Sequence, residues 1–100
     1  MTHARLWKFR PADGRAEDFA AAYGSAGVWA QLFGSAAGYR GTQLLRPAED
    51  DGWWLTIDRW VTKQDFEAFQ DQFGEEYRAL DAELESLCCE EQLVGTFEED

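Results

Sequence analysis

The stretch WWLTIDRW, residues 53–60, decides the fold, because it concentrates the aromatic and β-branched residues that favour a β-strand. It holds three of the chain's five tryptophans. Since side chains alternate along a strand, one face carries Trp53, Leu55, Ile57 and Arg59, and the other carries Trp54, Thr56, Asp58 and Trp60. We expect Leu55 and Ile57 to lie under the helices and Trp54 to point away from them. Trp60 ends the strand, where the chain already turns, so we expect its indole to swing towards Phe66 and Phe69 and to border a cleft between the sheet and the second helix.

Two further strands are predicted upstream of this one. The segment GYRGTQLLR, residues 38–46, is followed by the turn PAEDDG, in which the pair Asp51 and Gly52 is typical of a β-hairpin. The segment RLWKFR, residues 5–10, also alternates, and Pro11 ends it. A looser alternation in CCEEQLVGTF, near the end of the chain, predicts a fourth strand.

The helices are predicted from apolar spacing. Phe19 and Tyr23 share one helix face, and GVWAQLFG continues a helical pattern, so we expect one helical segment broken near residues 24–27. A longer helix follows the third strand, and Thr62 with Asp65 resembles a capping box at its start. Its apolar stripe recurs every three or four residues and comprises Phe66, Phe69, Phe73, Tyr77, Leu80, Leu84 and Leu87.

These elements follow the order β-α-β-β-α-β, which predicts an α+β, ferredoxin-like fold in one domain over residues 1–100. Both helices would cover one face of a four-stranded antiparallel sheet. The other face would keep the indoles of Trp54 and Trp7, and a large apolar patch on a small protein usually marks an interface or a ligand site. We therefore expect a homodimer in which these two tryptophans lie at the subunit contact.

Composition excludes several classes of partner. The formal net charge of −11 argues against nucleic acid and anionic membranes, because phosphate binding requires a basic surface. The charge is unevenly distributed along the chain. Residues 1–48 contain six Lys or Arg and three Asp or Glu, whereas residues 49–100 contain three Lys or Arg and seventeen Asp or Glu. This asymmetry indicates either a solvated acidic helix and tail, or complementary surfaces that meet across a subunit contact.

The N-terminal segment has no apolar signal region, and no stretch approaches the length of a membrane span, so a cytoplasmic location is expected. The two cysteines, Cys88 and Cys89, are adjacent, and a disulfide between neighbours is strained. We predict free thiols. No metal site is expected, because the cysteine spacing is wrong for zinc and the single histidine, His3, lies near a terminus.

The motifs GVWAQLF, GYRGTQLL and LTIDRW, followed by Phe66 and Phe69, resemble those of the antibiotic-biosynthesis-monooxygenase-like family, within the dimeric α/β-barrel superfamily. The likeness extends over residues 7–97. It implies a dimeric α/β barrel in which the sheets of two subunits face each other, with one small cavity per subunit between helices and sheet. Members of the family include cofactor-free oxygenases of polyketide quinols, quinol monooxygenases and haem-degrading enzymes, and others have no assigned activity.

The resemblance transfers few functional residues. Trp60 matches a tryptophan that lines the pocket in both the haem-degrading and the polyketide-oxidising branches. The haem-degrading branch also uses an asparagine near the start and a histidine on the second helix. This chain contains no asparagine, and Gln70 and Asp71 occupy the relevant part of its second helix. No cofactor is therefore expected.

The candidate ligand-pocket residues are Trp60, Trp29, Tyr23, Phe69, Tyr77 and Arg40. The aromatic side chains among them could equally fill a core. An arginine could bind an anionic or phenolate-like ligand, or pair with the abundant carboxylates. Asp58 lies in mid-strand and needs a partner if it is buried, which Arg40 or Arg46 on the adjacent strand could supply.

Two functional hypotheses follow. The first is a cofactor-independent monooxygenase for a small aromatic molecule of the quinol or polyketide type. Its substrate would supply the electrons in deprotonated form, and the protein would supply an apolar pocket with one or two polar anchors. The second is a small-molecule-binding or structural dimer without turnover. Nothing in the sequence identifies the catalytic residues, because no nucleophile elbow, phosphate loop or metal-ligand cluster is present.

Overall fold

A computed structural model describes residues 1–49 and 52–100 of the protein. Its elements, in chain order, are β1 (Thr2–Pro11), α1 (Ala16–Tyr23), α2 (Val28–Phe33), β2 (Tyr39–Leu45), β3 (Trp54–Trp60), α3 (Lys63–Leu84), a 3₁₀ turn (Glu85–Leu87) and β4 (Cys88–Glu99). The Asp51–Gly52 hairpin turn predicted between β2 and β3 includes Asp51, which lies outside the described residues. Every other predicted element is present.

The four strands form one antiparallel sheet in the order β2-β3-β1-β4. This order confirms the predicted ferredoxin-like arrangement, in which the two central strands, β1 and β3, come from different halves of the chain. The register places Trp7 opposite Thr56 and Phe9 opposite Trp54, so these four residues share one face of the sheet.

The helical layer has the predicted break between α1 and α2. The chain turns at Gly27, where a Cβ atom would overlap the carbonyl oxygen of Ala22, so only glycine allows this approach. At the start of α3 the backbone N–H of Asp65 donates to Thr62 Oγ1 over 3.1 Å, which is the expected cap. The helix is kinked at Phe73, next to Gly74, where the backbone leaves helical geometry.

The core lies between the helices and the sheet and consists largely of aromatic rings. Trp54 meets the ring of Phe19 from α1 at 5.2 Å, and Trp60 meets Phe33 from α2 at 5.8 Å. Trp54 and Trp60 therefore point towards the helices, whereas Leu55 and Ile57 lie on the open face. The predicted orientation of Trp54, Leu55 and Ile57 is wrong, whereas the predicted approach of Trp60 to Phe66 and Phe69 is present. Alternation identifies which residues share a face, but the gap between two layers of backbone is filled best by the largest side chains.

His3 lies in β1 and is 2% exposed, although it is near the start of the sequence. Its Nδ1 atom is 2.5 Å from a carboxylate oxygen of Glu98 on the adjacent strand β4. None of the helices formed by residues 1–49 and 52–100 combines the length and the apolar character needed to cross a membrane.

Candidate functional site

A cavity of about 140 Å³ lies between the helical layer and the sheet and is partly open to solvent. Its walls combine side chains from seven elements: β1, α1, α2, β2, β3, α3 and β4. No short sequence motif could therefore have predicted it. Most of the wall is aromatic, and the rings are those of Trp7, Phe9, Tyr23, Trp29, Phe33 and Tyr77. A concave, aromatic space with a few polar groups is the usual form of a small-molecule site.

The polar part of the wall is centred on Asp58. Thr42 Oγ1 donates to Asp58 Oδ1 over 2.6 Å, and the Tyr39 hydroxyl lies 2.5 Å from the same Thr42 oxygen. Because a threonine hydroxyl has one proton, the Tyr39 hydroxyl must be the donor to Thr42 when Asp58 is ionised. This chain of hydrogen bonds fixes the position of the carboxylate oxygen Oδ1.

Burial raises the pKa of Asp58 to about 6, from an ordinary value of 3.8. The hydrogen bond from Thr42 and the positive charge of Arg5 oppose this rise but do not cancel it. Arg5 is the cross-strand neighbour of Asp58, and its guanidinium lies over the ring of Phe66, 3.8 Å from the centroid. A carboxyl group with this pKa is mostly ionised at neutral pH and can still accept a proton readily.

Asp81 of α3 and Glu91 of β4 also line the cavity. Burial, and then the negative charge of Asp81, raise the pKa of Glu91. Both residues also line a more polar cavity of about 240 Å³ that adjoins the first one, and Tyr23 forms part of both walls. The aromatic cavity therefore has an acidic side.

Three of the predicted pocket residues, Trp29, Tyr23 and Tyr77, lie together on the cavity wall, where the rings of Trp29 and Tyr77 are 5.0 Å apart. Trp60 and Phe69 do not line it. They are 0% and 1% exposed, and their rings pack against each other at 5.4 Å inside the core. The indole of Trp60 is held in the layer behind the cavity, which corrects the prediction that it borders the ligand.

Arg40 is exposed and does not reach the cavity, contrary to the prediction. The pairing of β2 with β3 shifts between Tyr39 and Gly41, where Gly41 has a φ of 124°, so Arg40 has no opposite residue. Arg46 pairs with Glu17 at 3.3 Å on the exposed surface. The expected arginine partner of Asp58 is thus replaced by Thr42.

The two tryptophans predicted at the subunit contact, Trp54 and Trp7, face the helical layer. Trp54 is 6% exposed and packs on Phe19. Trp7 is half-buried on the cavity wall, and its ring stacks on Phe9 at 6.3 Å. Both predictions rested on the reversed assignment of the sheet faces, so this placement corrects them.

Sequence reasoning did not include Thr42, Thr56, Asp81 or Glu91 among the site residues, although all four line the cavity. Thr56 could have been found, because it shares a strand face with Asp58 and Trp60. Thr42 could have been found from the hairpin register, which places it opposite Asp58. Asp81 and Glu91 carry no such signal, since they are two acidic residues among many in the second half of the chain.

Solved structures with the same fold include oxygenases. A cofactor-independent oxygenase from Streptomyces nogalater, SnoaB, is 21% identical, with 98% of this chain and 92% of that chain covered and a TM-score of 0.69. An antibiotic biosynthesis monooxygenase from Bordetella bronchiseptica, described as putative, is 18% identical, with coverage of 99% and 97% and a TM-score of 0.73. At these identities the likeness shows the fold.

A search of the curated proteins gave no match. The sequence model of one family, antibiotic biosynthesis monooxygenase, matches residues 3–83. This match covers β1 to α3 almost completely, and with it most of the residues that line the cavity. The chain therefore belongs to the antibiotic biosynthesis monooxygenase family.

Proposed function

We propose that the cavity binds a small, electron-rich phenol or quinol, and that Asp58 removes its phenolic proton so that the ring can react with dioxygen. The observation that carries this proposal is a carboxylate with a pKa of about 6 that faces a cavity walled by aromatic rings. A general base works best when its pKa lies near the working pH. The family match and the fold shared with SnoaB, a cofactor-independent oxygenase, support the same chemistry.

The volume of the cavity limits the size of the substrate. An apolar cavity of about 150 Å³ in another protein holds one benzene molecule. The cavity of about 140 Å³ therefore suits one aromatic ring. A polycyclic polyketide would have to extend through the open side.

The reaction needs no reductant besides the substrate. When Asp58 accepts the phenolic proton, the phenolate can give one electron to dioxygen, and the resulting radical pair can combine as a peroxide at a ring carbon. Loss of water from that peroxide leaves a carbonyl, so one quinol and one dioxygen yield one hydroxyquinone and one water. The aromatic walls would exclude bulk water from the intermediate, and Asp58 would return its proton to the departing hydroxide.

The test is a titration with catechol under nitrogen, followed by exposure to labelled dioxygen. We expect catechol to quench the fluorescence of Trp29 and Trp7, since both line the cavity. We then expect uptake of one dioxygen per catechol above the rate of autoxidation, with one labelled oxygen atom in the product. Mass spectrometry and an oxygen electrode give the two readouts.

Quenching without oxygen uptake would favour the second hypothesis, a binding protein without turnover. The absence of both signals would overturn the proposed function. A Trp29→Phe variant provides the control for the quenching, because it removes one of the two indoles on the wall while keeping an aromatic ring, so the quenching should be reduced.

We further propose that the protein is a homodimer joined through the open face of its sheet. Leu6, Leu55 and Ile57 lie on this face, and Leu45 and Phe97 on the flanking strands are 42% and 49% exposed. This face carries apolar side chains from all four strands. A second copy of the same face would cover it with leucine, isoleucine and phenylalanine side chains, as the family resemblance implies.

Ile57→Glu is expected to convert the dimer into a monomer of 11.4 kDa, because it places a charge without a partner at the centre of an apolar contact. Size exclusion with light scattering at micromolar concentration measures the mass. Val28→Glu is the matched control, since Val28 is 39% exposed on α2, in the helical layer. A wild-type protein that is monomeric under these conditions would contradict the proposal.

A further inference from the structure

The wall of the cavity is negatively charged. Three of its lining side chains, Asp58, Asp81 and Glu91, are carboxylates, and none of the lining residues found in the described ranges is basic. Arg5 offsets part of the charge of Asp58, but it stands behind the wall, over Phe66. Asp81 and Glu91 are the two carboxylates without such compensation.

Neither Asp81 nor Glu91 forms an ion pair with any residue in the described part of the chain. The same holds for Glu85 in the adjoining cavity, whereas Glu90 there lies 3.8 Å from Arg10 Nε. The two cavities thus meet at a point where negative charges face one another. Uncompensated carboxylates at the entrance of a site attract cations and repel anions.

The aromatic rings beside these carboxylates add to the same preference. Tyr23 lines both cavities, and Tyr77 lies close enough to Asp81 for that charge to raise its pKa, although burial is the larger cause. The face of an aromatic ring carries negative potential and attracts an ammonium group. A cation at this position would therefore be favoured by carboxylates and by ring faces together.

We propose that the cavity selects phenols that carry a protonated amine, with the ring among the aromatic side chains and the ammonium group beside Asp81 and Glu91. This inference rests on the proposed function and narrows its substrate class. One ring fills the cavity of about 140 Å³, and a short aminoalkyl chain reaches the adjoining space of about 240 Å³. Phenols that carry a carboxylate should bind more weakly, because Asp81 and Glu91 repel them.

Three catechols that differ in charge but hardly in size test the selection. These are dopamine, which is cationic, ethylcatechol, which is neutral, and homoprotocatechuate, which is anionic. Binding is measured under nitrogen by tryptophan quenching. At low salt we expect dopamine to bind about tenfold more tightly than ethylcatechol, and homoprotocatechuate to bind about tenfold more weakly, since two partly exposed carboxylates act together. High salt should reduce both ratios.

Glu91→Gln and Asp81→Asn should each lower the ratio of dopamine affinity to ethylcatechol affinity several-fold. Glu83→Gln is the matched control, because Glu83 is an exposed residue of α3 that does not line either cavity. Equal affinity for the three catechols, or ratios unaffected by both variants, would overturn the charge selection while leaving the proposed function standing. Failure of all three to bind would overturn the proposed function as well.

Discussion

Trp60→Ala is expected to lower the free energy of unfolding by about 3–5 kcal/mol, which is the usual cost of deleting a large aromatic side chain from a core. Trp60 is 0% exposed, and its indole contacts three rings from two helices, α2 and α3: Phe33 at 5.8 Å, Phe66 at 5.5 Å and Phe69 at 5.4 Å. Such a cage of rigid rings cannot collapse into the vacated space, so the loss should lie in the upper part of the range. Urea denaturation followed by circular dichroism measures it.

Two variants separate packing from ligand binding. Trp53→Ala removes an indole that is only half-buried, beneath the side chains of Lys8 and Arg10, and should cost much less. Trp60→Phe should keep most of the stability and should also keep the quenching by catechol, because Trp60 does not line the cavity. A small loss of stability in Trp60→Ala together with loss of ligand binding would contradict the core role.

Local signals in the sequence were sufficient for the order of elements. The apolar stripe from Phe66 to Leu87, the Thr62 cap and the glycines near residue 27 are local features, and each depends on residues only a few positions apart. The choice between the two faces of β3 was not accessible in the same way. Both faces are rich in apolar side chains, and only the width of the gap beneath the helices decides that Trp54 and Trp60 fill it.

The candidate site was harder to predict, because its chemistry depends on pairs that are distant in the chain. Asp58 was identifiable as a mid-strand carboxylate, but its hydrogen-bond partner depends on the register of β2 and β3. The irregularity at Gly41 turns Arg40 outwards and leaves Thr42 opposite Asp58. A shift of one residue in pairing would have reversed these positions. Asp81, near the end of α3, and Glu91, near the start of β4, line the same cavity only because of the tertiary fold.

Asp58→Asn should slow oxygen uptake with catechol by about 100- to 10,000-fold, the usual contribution of a general base. The amide is nearly isosteric and can still accept the hydrogen bond from Thr42, so binding of catechol should change little. The wild-type rate should rise with pH through about 6, as the carboxyl group ionises, and then level off. Thr42→Val should move that midpoint upwards, because it removes a hydrogen bond to the ionised form.

Asp58→Asn should also stabilise the fold. This effect distinguishes a functional carboxylate from a structural one. Because burial raises the pKa of Asp58 above its unfolded value, the native state binds more protons than the unfolded state between about pH 4 and 6. The stability of the wild type therefore falls as pH rises through that interval. At pH 7 the free energy of unfolding of Asp58→Asn should exceed that of the wild type by about 1–2 kcal/mol. This is less than the free energy that corresponds to the full pKa shift, because Arg5 loses its neighbour's charge, and near pH 4 the advantage should vanish.

Asp71→Asn, on the exposed surface of α3, should change neither rate nor stability. If Asp58→Asn were less stable at pH 7 and still took up oxygen at the wild-type rate, Asp58 would be a structural residue, and the base would have to be sought elsewhere on the cavity wall.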